Sequence, residues 1–136
     1  MKDYEYKARY YETDKMGIIH HSNYIRWYED ARIYFMEKLG ISYKKMEEKG
    51  IVSPVLSVSS EYKNMVCFDD VVSISVKIKK YNGIRLELDY VIKNKSTDEI
   101  VNTGSSNHCF LFNNKIINLK KNAPEFHEML LKGIDI

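Results

Sequence analysis

The sequence predicts an α+β fold, with helices gathered on one face of an antiparallel sheet of about five strands. Three observations predict it. Apolar residues recur at threes and fours between Asn23 and Leu39, they alternate with polar residues from Leu56 onward, and an Asn-Gly pair at Asn82-Gly83 separates two of the alternating runs.

Taken in order, residues 4–12, YEYKARYYE, are aromatic-rich and lead into Thr13-Asp14 and Gly17, as a first strand running into a turn would. A helix is predicted from Asn23 to Leu39. Tyr24, Trp27, Tyr28, Ala31, Phe35 and Leu39 form its apolar face, Ser22 or Asn23 is placed to cap its start, and Gly40 to end it in a left-handed residue. A short second helix is expected near Tyr43 to Lys49, stopped by Gly50. Leu56, Val58, Ser60 and Tyr62 then read as a strand. Val72, Ile74, Val76 and Ile78 form the next, and Ile84, Leu86, Leu88, Tyr90 and Ile92 the one after, joined through Tyr81-Asn82-Gly83. A strand from Ile100 to Phe112 follows the turn at residues 95–98, and Pro124 to Leu131 suits a short helix. A helix of about 17 residues is about 25 Å long, so it lies along such a sheet but does not cover five strands. The rest of the sheet calls for the C-terminal helix or a second copy, whose interface would create clefts.

Composition narrows the classes of function. With 21 basic and 19 acidic residues interspersed, the chain lacks the cationic bias of a nucleic-acid binder. Cys67 and Cys109 are far apart and outside any metal spacing, which predicts reduced core thiols and a cytoplasmic protein. No apolar run reaches the roughly 18 residues of a membrane span, and the N-terminal residues are too polar for a signal peptide. With no repeat or linker, one domain is expected over residues 1–136. No metal and no cofactor is expected: adjacent His20 and His21 do not easily converge on one ion, and His108 and His127 lack ligand spacing.

The densest chemistry lies in residues 11–32, YETDKMGIIHHSNYIRWYEDAR. Thr13-Asp14, Gly17, His21, Asn23 and the helical run Trp27-Tyr28-Glu29-Asp30-Ala31-Arg32 resemble the hotdog-fold acyl-CoA thioesterases of the 4-hydroxybenzoyl-CoA thioesterase type. Weaker likenesses at Ser60-Glu61-Tyr62, Asp69-Asp70 and Asn107-His108 extend the resemblance over nearly the whole chain. It implies a long central helix wrapped by a curved antiparallel sheet, a homodimer or homotetramer, and hydrolysis of an acyl-CoA substrate in a cleft between subunits. It also makes Asp14 the catalytic carboxylate, with backbone N–H groups of the following helix start polarising the thioester oxygen. Two departures stand out. Lys63-Asn64-Met65 replaces the proline or basic residue that many relatives carry there, and Met16 is larger than the small residue often found before the glycine, which would narrow a pocket mouth.

Thioester hydrolysis needs an oxygen nucleophile on one side of the carbonyl and a stabiliser for the charge that develops on its oxygen. Asp14 suits the first role, either by attacking to form an anhydride or as base on a water; both need the ionised form that aspartate takes in neutral water. Residues 21–23 suit the second: His21, Ser22 and Asn23 start a helix, where N–H groups lack partners and the dipole is positive. Gly17 lets the loop between turn sharply. Each has a plainer reading. Asp14 also suits a turn, His21 a helix start, and Glu29, the alternative carboxylate, an ion pair with Arg26 or Arg32. Lys79, Lys80 and Arg85 cluster at the Asn82-Gly83 hairpin, where they would bind CoA phosphates or protect a sheet edge. A carrier-protein thioester is the alternative substrate, and an acyl-thioester-binding protein without catalysis the alternative class.

Overall fold

The computed structural model describes residues Met1–Ile136. Strand β1 (Tyr4–Lys7) is followed by a 3₁₀ turn (Tyr10–Glu12), helix α1 (Ser22–Lys38), helix α2 (Tyr43–Glu48) and the short β2 (Ile51–Val52). Strands β3 (Val55–Tyr62), β4 (Val71–Tyr81), β5 (Leu86–Asn94) and β6 (Ile100–His108) come next. The chain ends with β7 (Leu111–Phe112), β8 (Lys115–Ile116), α3 (Leu119–Asn122) and α4 (Pro124–Gly133). The main sheet has five antiparallel strands in the order β1-β4-β5-β6-β3, and β2-β7-β8 form a small second sheet.

The core lies where α1 meets the sheet. Tyr24, Trp27, Tyr28, Ala31 and Phe35 are buried on one face of α1, against Ile74, Leu88, Tyr90 and Ile92 from the alternating positions of β4 and β5. Tyr28 stacks on Tyr90 with ring centroids 4.3 Å apart and planes 10° from parallel. Gly40 follows the helix at φ 94°, the left-handed conformation expected of it.

Four local features differ from the sequence reading. The first strand ends at Lys7, not residue 12, because the Glu12 carboxylate folds back to accept the Arg9 N–H (2.7 Å), closing the 3₁₀ turn. The connection after β4 takes four residues, since the Asn82 side chain accepts the N–H groups of both Ile84 (2.9 Å) and Arg85 (2.8 Å); Ile84 therefore belongs to the turn. The last long strand stops at His108. Beyond it the chain leaves the main sheet so that Leu111 and Phe112 pair with Val52 and Ile51, and Asn113-Asn114 turn back at φ 51° and 62°. Of the two free cysteines only Cys109 is in the core, while Cys67 is exposed on the loop before β4.

The strand β3 is an open edge of the main sheet. Its Val55, Leu56, Val58 and Tyr62 are each 40–50% exposed, an apolar edge of the kind that pairs with another chain. The helices are all too short or too polar to cross a membrane.

Candidate active site

Asp14 is held by a small knot of backbone bonds between β1 and α1. Its N–H donates to the Ile18 carbonyl (2.8 Å), its carbonyl accepts the Gly17 N–H (3.1 Å), and its Oδ1 accepts the Met16 N–H (2.8 Å). Gly17 closes this turn at φ 79°, where a side chain would be strained. The returning strand of the knot is fixed in turn: Ile19 donates to Val66 (2.8 Å), and Ile18 bridges to Cys67. One carboxylate oxygen of the half-buried Asp14 is thus committed to its own loop, and the other has no partner in the chain.

The helix start is built by residues 20–23 together with Glu12. The N–H of Ser22 donates to His20 Nδ1 (3.2 Å) and that of Asn23 to the His20 carbonyl (3.0 Å). Neither side chain caps the helix: Ser22 is its first residue, and Asn23 is buried with its amide donating to the Glu12 carbonyl (2.9 Å). Of the N–H groups expected at residues 21–23, only that of His21 lacks an acceptor within the chain. The His21 carbonyl accepts the Tyr62 hydroxyl from β3 (3.1 Å), which ties the helix start to the sheet edge. The His21 ring makes no hydrogen bond to Asp14. It lies against the His20 ring, with centroids 4.1 Å apart.

Asp14 and His21 nevertheless face one cavity of about 280 Å³, lined also by Ile18, Ile19, Tyr24, Tyr62, Lys63, Asn64 and Met65. Burial, with Tyr62 beside it, pushes the Tyr24 phenol up to about 12, so Tyr24 presents a neutral hydroxyl. Lys63-Asn64-Met65 is part of the cavity wall. Met16 is not: it stands in solvent at 75% exposure.

The remaining predicted residues are elsewhere. Glu29 is exposed, one helical face away, and forms no ion pair with Arg26 or Arg32. Lys79, Lys80 and Arg85 lie at the far end of β4 from the Asp14 loop, with Lys79 paired to Glu87 (3.7 Å). An 11-residue strand spans about 35 Å, so within one chain these cations do not share the Asp14 cavity.

Two residues organise the site in a way the sequence reading did not assign to them. The buried Glu12 carboxylate accepts from Trp27 Nε1 (2.8 Å), Tyr6 OH (3.0 Å) and the Arg9 N–H (2.7 Å), while its backbone carbonyl accepts the His20 N–H (2.8 Å). It therefore locks the helix start to the loop that carries Asp14. Tyr62 does the same from β3. The only sequence signal for Glu12 was a carboxylate among aromatics that need hydrogen-bond acceptors when buried.

Comparison with known proteins adds three findings. The family model described as the thioesterase-like superfamily matches residues 8–134. A candidate acyl-CoA thioesterase from Bacillus subtilis, YneP, is 34% identical over 124 residues, covering 90% of each chain, and a candidate esterase from Aquifex aeolicus is 32% identical over 122 residues, covering 90% of this chain and 94% of that one. Among solved structures, the DHNA-CoA thioesterase of Staphylococcus aureus superposes with a TM-score of 0.92 at 38% identity, over 96% of this chain and 89% of that one.

Proposed function

The chain belongs to the thioesterase-like superfamily, a thioester hydrolase of hotdog fold, and on that premise we propose that it hydrolyses an acyl-CoA thioester to a free acid and CoA. The observation that carries the proposal is one cavity that holds a carboxylate with a free oxygen, Asp14, and the start of a helix with an unpaired N–H, His21. Asp14 acts on the carbonyl carbon, either directly or by taking a proton from the attacking water. The negative charge that develops on the carbonyl oxygen falls to the His21 N–H, at the positive end of α1. The carbon–sulfur bond then breaks and CoA leaves as thiolate; on the direct route water next cleaves the Asp14–acyl anhydride, releasing the acid and restoring the carboxylate, and the proton taken up by Asp14 or given up by that water neutralises the thiolate. Gly17 shapes the loop, while Ser22 and Asn23 keep the helix start in place through His20 and Glu12.

On the same proposal residues 1–136 form one domain whose sheet curves around α1, working in the cytoplasm as a homodimer or homotetramer. The exposed edge of β3 supports a second copy. In an antiparallel pairing of two β3 edges, the Tyr62 end of one copy lies beside the Val55 end of the other. The Val55 end carries His108, Leu86 and Tyr81 in register, next to Lys79, Lys80 and Arg85. Those cations would thereby approach the Asp14 cavity of the other copy, where CoA phosphates need them.

A thiol-release assay over a panel of acyl-CoA and carrier-linked thioesters tests the reading. Asp14→Asn is expected to lower kcat about a hundred- to ten-thousand-fold with its fold intact. Absence of turnover by the unmodified protein on every thioester would sink the proposal. Full activity in Asp14→Asn together with loss in Glu29→Gln would move the role to the helix carboxylate.

A further inference from the structure

Arg32 is 7% exposed, yet no carboxylate lies within ion-pair distance of it. Its Nε donates to the Tyr43 hydroxyl (3.3 Å) and its Nη1 to the Tyr90 hydroxyl (3.1 Å). Tyr90 continues through Ser106 (2.6 Å) to His108 (2.7 Å). Every acceptor in this chain of contacts is neutral. His108 is itself pushed down to about 4 by burial, with the Arg32 charge adding to the effect. A guanidinium in the interior without a counter-charge is costly to desolvate, and a brace for two tyrosines does not need a charge.

The third nitrogen explains the arrangement. Arg32 Nη2 has no acceptor in the chain, and no sealed-in polar atom of the protein lacks one, so this edge of the guanidinium is open. Arg32 lines a cavity of about 150 Å³ between α1 and β3, with Ile25, Val55 and Val58 as apolar walls and Tyr28 and Ser106 as polar ones. Arg26 and the exposed Glu29 stand at the same cavity, so its lining carries a net positive charge. His21, Tyr24 and Tyr62 line the Asp14 cavity, and the next turns of the same helix and the next residues of the same strand line this one. The two cavities share no lining residue but succeed one another along the same helix and strand. From Tyr24 to Arg32 the helix rises about 12 Å.

We infer that an acyl group reaching from the Asp14 cavity runs along α1 into the Arg32 cavity and that the open edge of Arg32 binds its far end, so that the substrate is a thioester whose acyl group ends in a carboxylate. The inference rests on the hydrolase reading above and names the substrate class for the same site. A carboxylate supplies the missing counter-charge through charge-assisted hydrogen bonds, and a methyl terminus leaves the guanidinium unpaired.

Suberoyl-CoA against octanoyl-CoA separates the two, since the chains differ only in that terminus. The unmodified protein is expected to favour suberoyl-CoA at least about tenfold in kcat/KM. Arg32→Gln should remove that preference by raising KM for suberoyl-CoA at least about tenfold more than for octanoyl-CoA, and Arg32→Lys should restore part of it. Equal use of the two substrates by the unmodified protein overturns the inference, whether or not the variants fold. So does an Arg32→Gln protein that loses both substrates alike, or one that changes its mass in solution while keeping its selectivity, because a partner's carboxylate would then be the counter-charge. If neither thioester is cleaved the hydrolase reading fails, and titration with free suberate and octanoate decides the pocket: binding of suberate alone, lost in Arg32→Gln, upholds it, and any other pattern overturns it.

Discussion

His108 closes the buried chain of hydroxyls that begins at Arg32, and its surroundings set a pH dependence. With the folded state held near pH 4 and the ordinary value at 6.5, the unfolded chain takes up the proton first as pH falls. The contribution to stability is therefore complete above about pH 6.5 and is lost as pH drops towards 4, by up to about 3 kcal/mol. His108→Gln keeps a donor and acceptor beside Ser106 but cannot titrate, so its urea midpoint should fall less between pH 7 and pH 4.5 than that of the unmodified protein. Equal falls would contradict the cause. Residues of this kind were hidden in the sequence, where His108 was only part of a weak likeness. Asp14, Gly17 and His21 were legible because loop chemistry and a helix start sit next to one another in the chain, and the structure brings Asp14 and His21 to one cavity. The contacts of Glu12, Tyr62 and Arg32 were not, since their partners Trp27, His21, Tyr43 and Tyr90 are 11 to 58 positions away.

The seat of α1 on the sheet depends on a residue that periodicity passes over. Gly104, opposite Tyr90 in the register of β5 and β6, has no side chain because Tyr28 occupies that space; a Cβ there would come within 2.6 Å of the Ser59 carbonyl oxygen and closer still to the Tyr28 hydroxyl. Gly104→Ala should destabilise the fold by about 1–3 kcal/mol through overpacking, and Tyr28→Phe in the same chain should return part of the loss. Urea unfolding of the two single variants and the pair measures this; additive losses would mean that the two residues do not compete for space. The helix and the long strands were legible because burial on one face imposes a period on the residues themselves. Their ends were less so. The 3₁₀ turn at Tyr10–Glu12, the four-residue connection at Asn82–Arg85 and the break after His108 all follow from single side-chain or turn contacts that leave no periodic trace.

At the scale of the whole molecule the proposed site is divided between two copies, and this has a consequence that neither a stability measurement nor a single variant reveals. Asp14 of one copy would work with Lys79, Lys80 and Arg85 of the other, because antiparallel pairing of the β3 edges brings opposite ends of the two sheets together. Asp14→Asn removes the carboxylate and keeps the cations. The triple variant Lys79→Ala, Lys80→Ala, Arg85→Ala keeps the carboxylate, and should raise KM for acyl-CoA with little change in kcat. Mixed in equal amounts and allowed to exchange, about half of the dimers are hybrids, and each hybrid has one site with both parts intact. With substrate well below KM of the triple variant, the mixture should recover about a quarter of the native rate, far above either variant alone. If carboxylate and cations served the same copy's site, each hybrid would carry one defect in each site and the rate would not recover. The same null result in a mixture shown by mass to have exchanged would therefore remove the division of the site between copies, while leaving the role of Asp14 to be judged by its own variant.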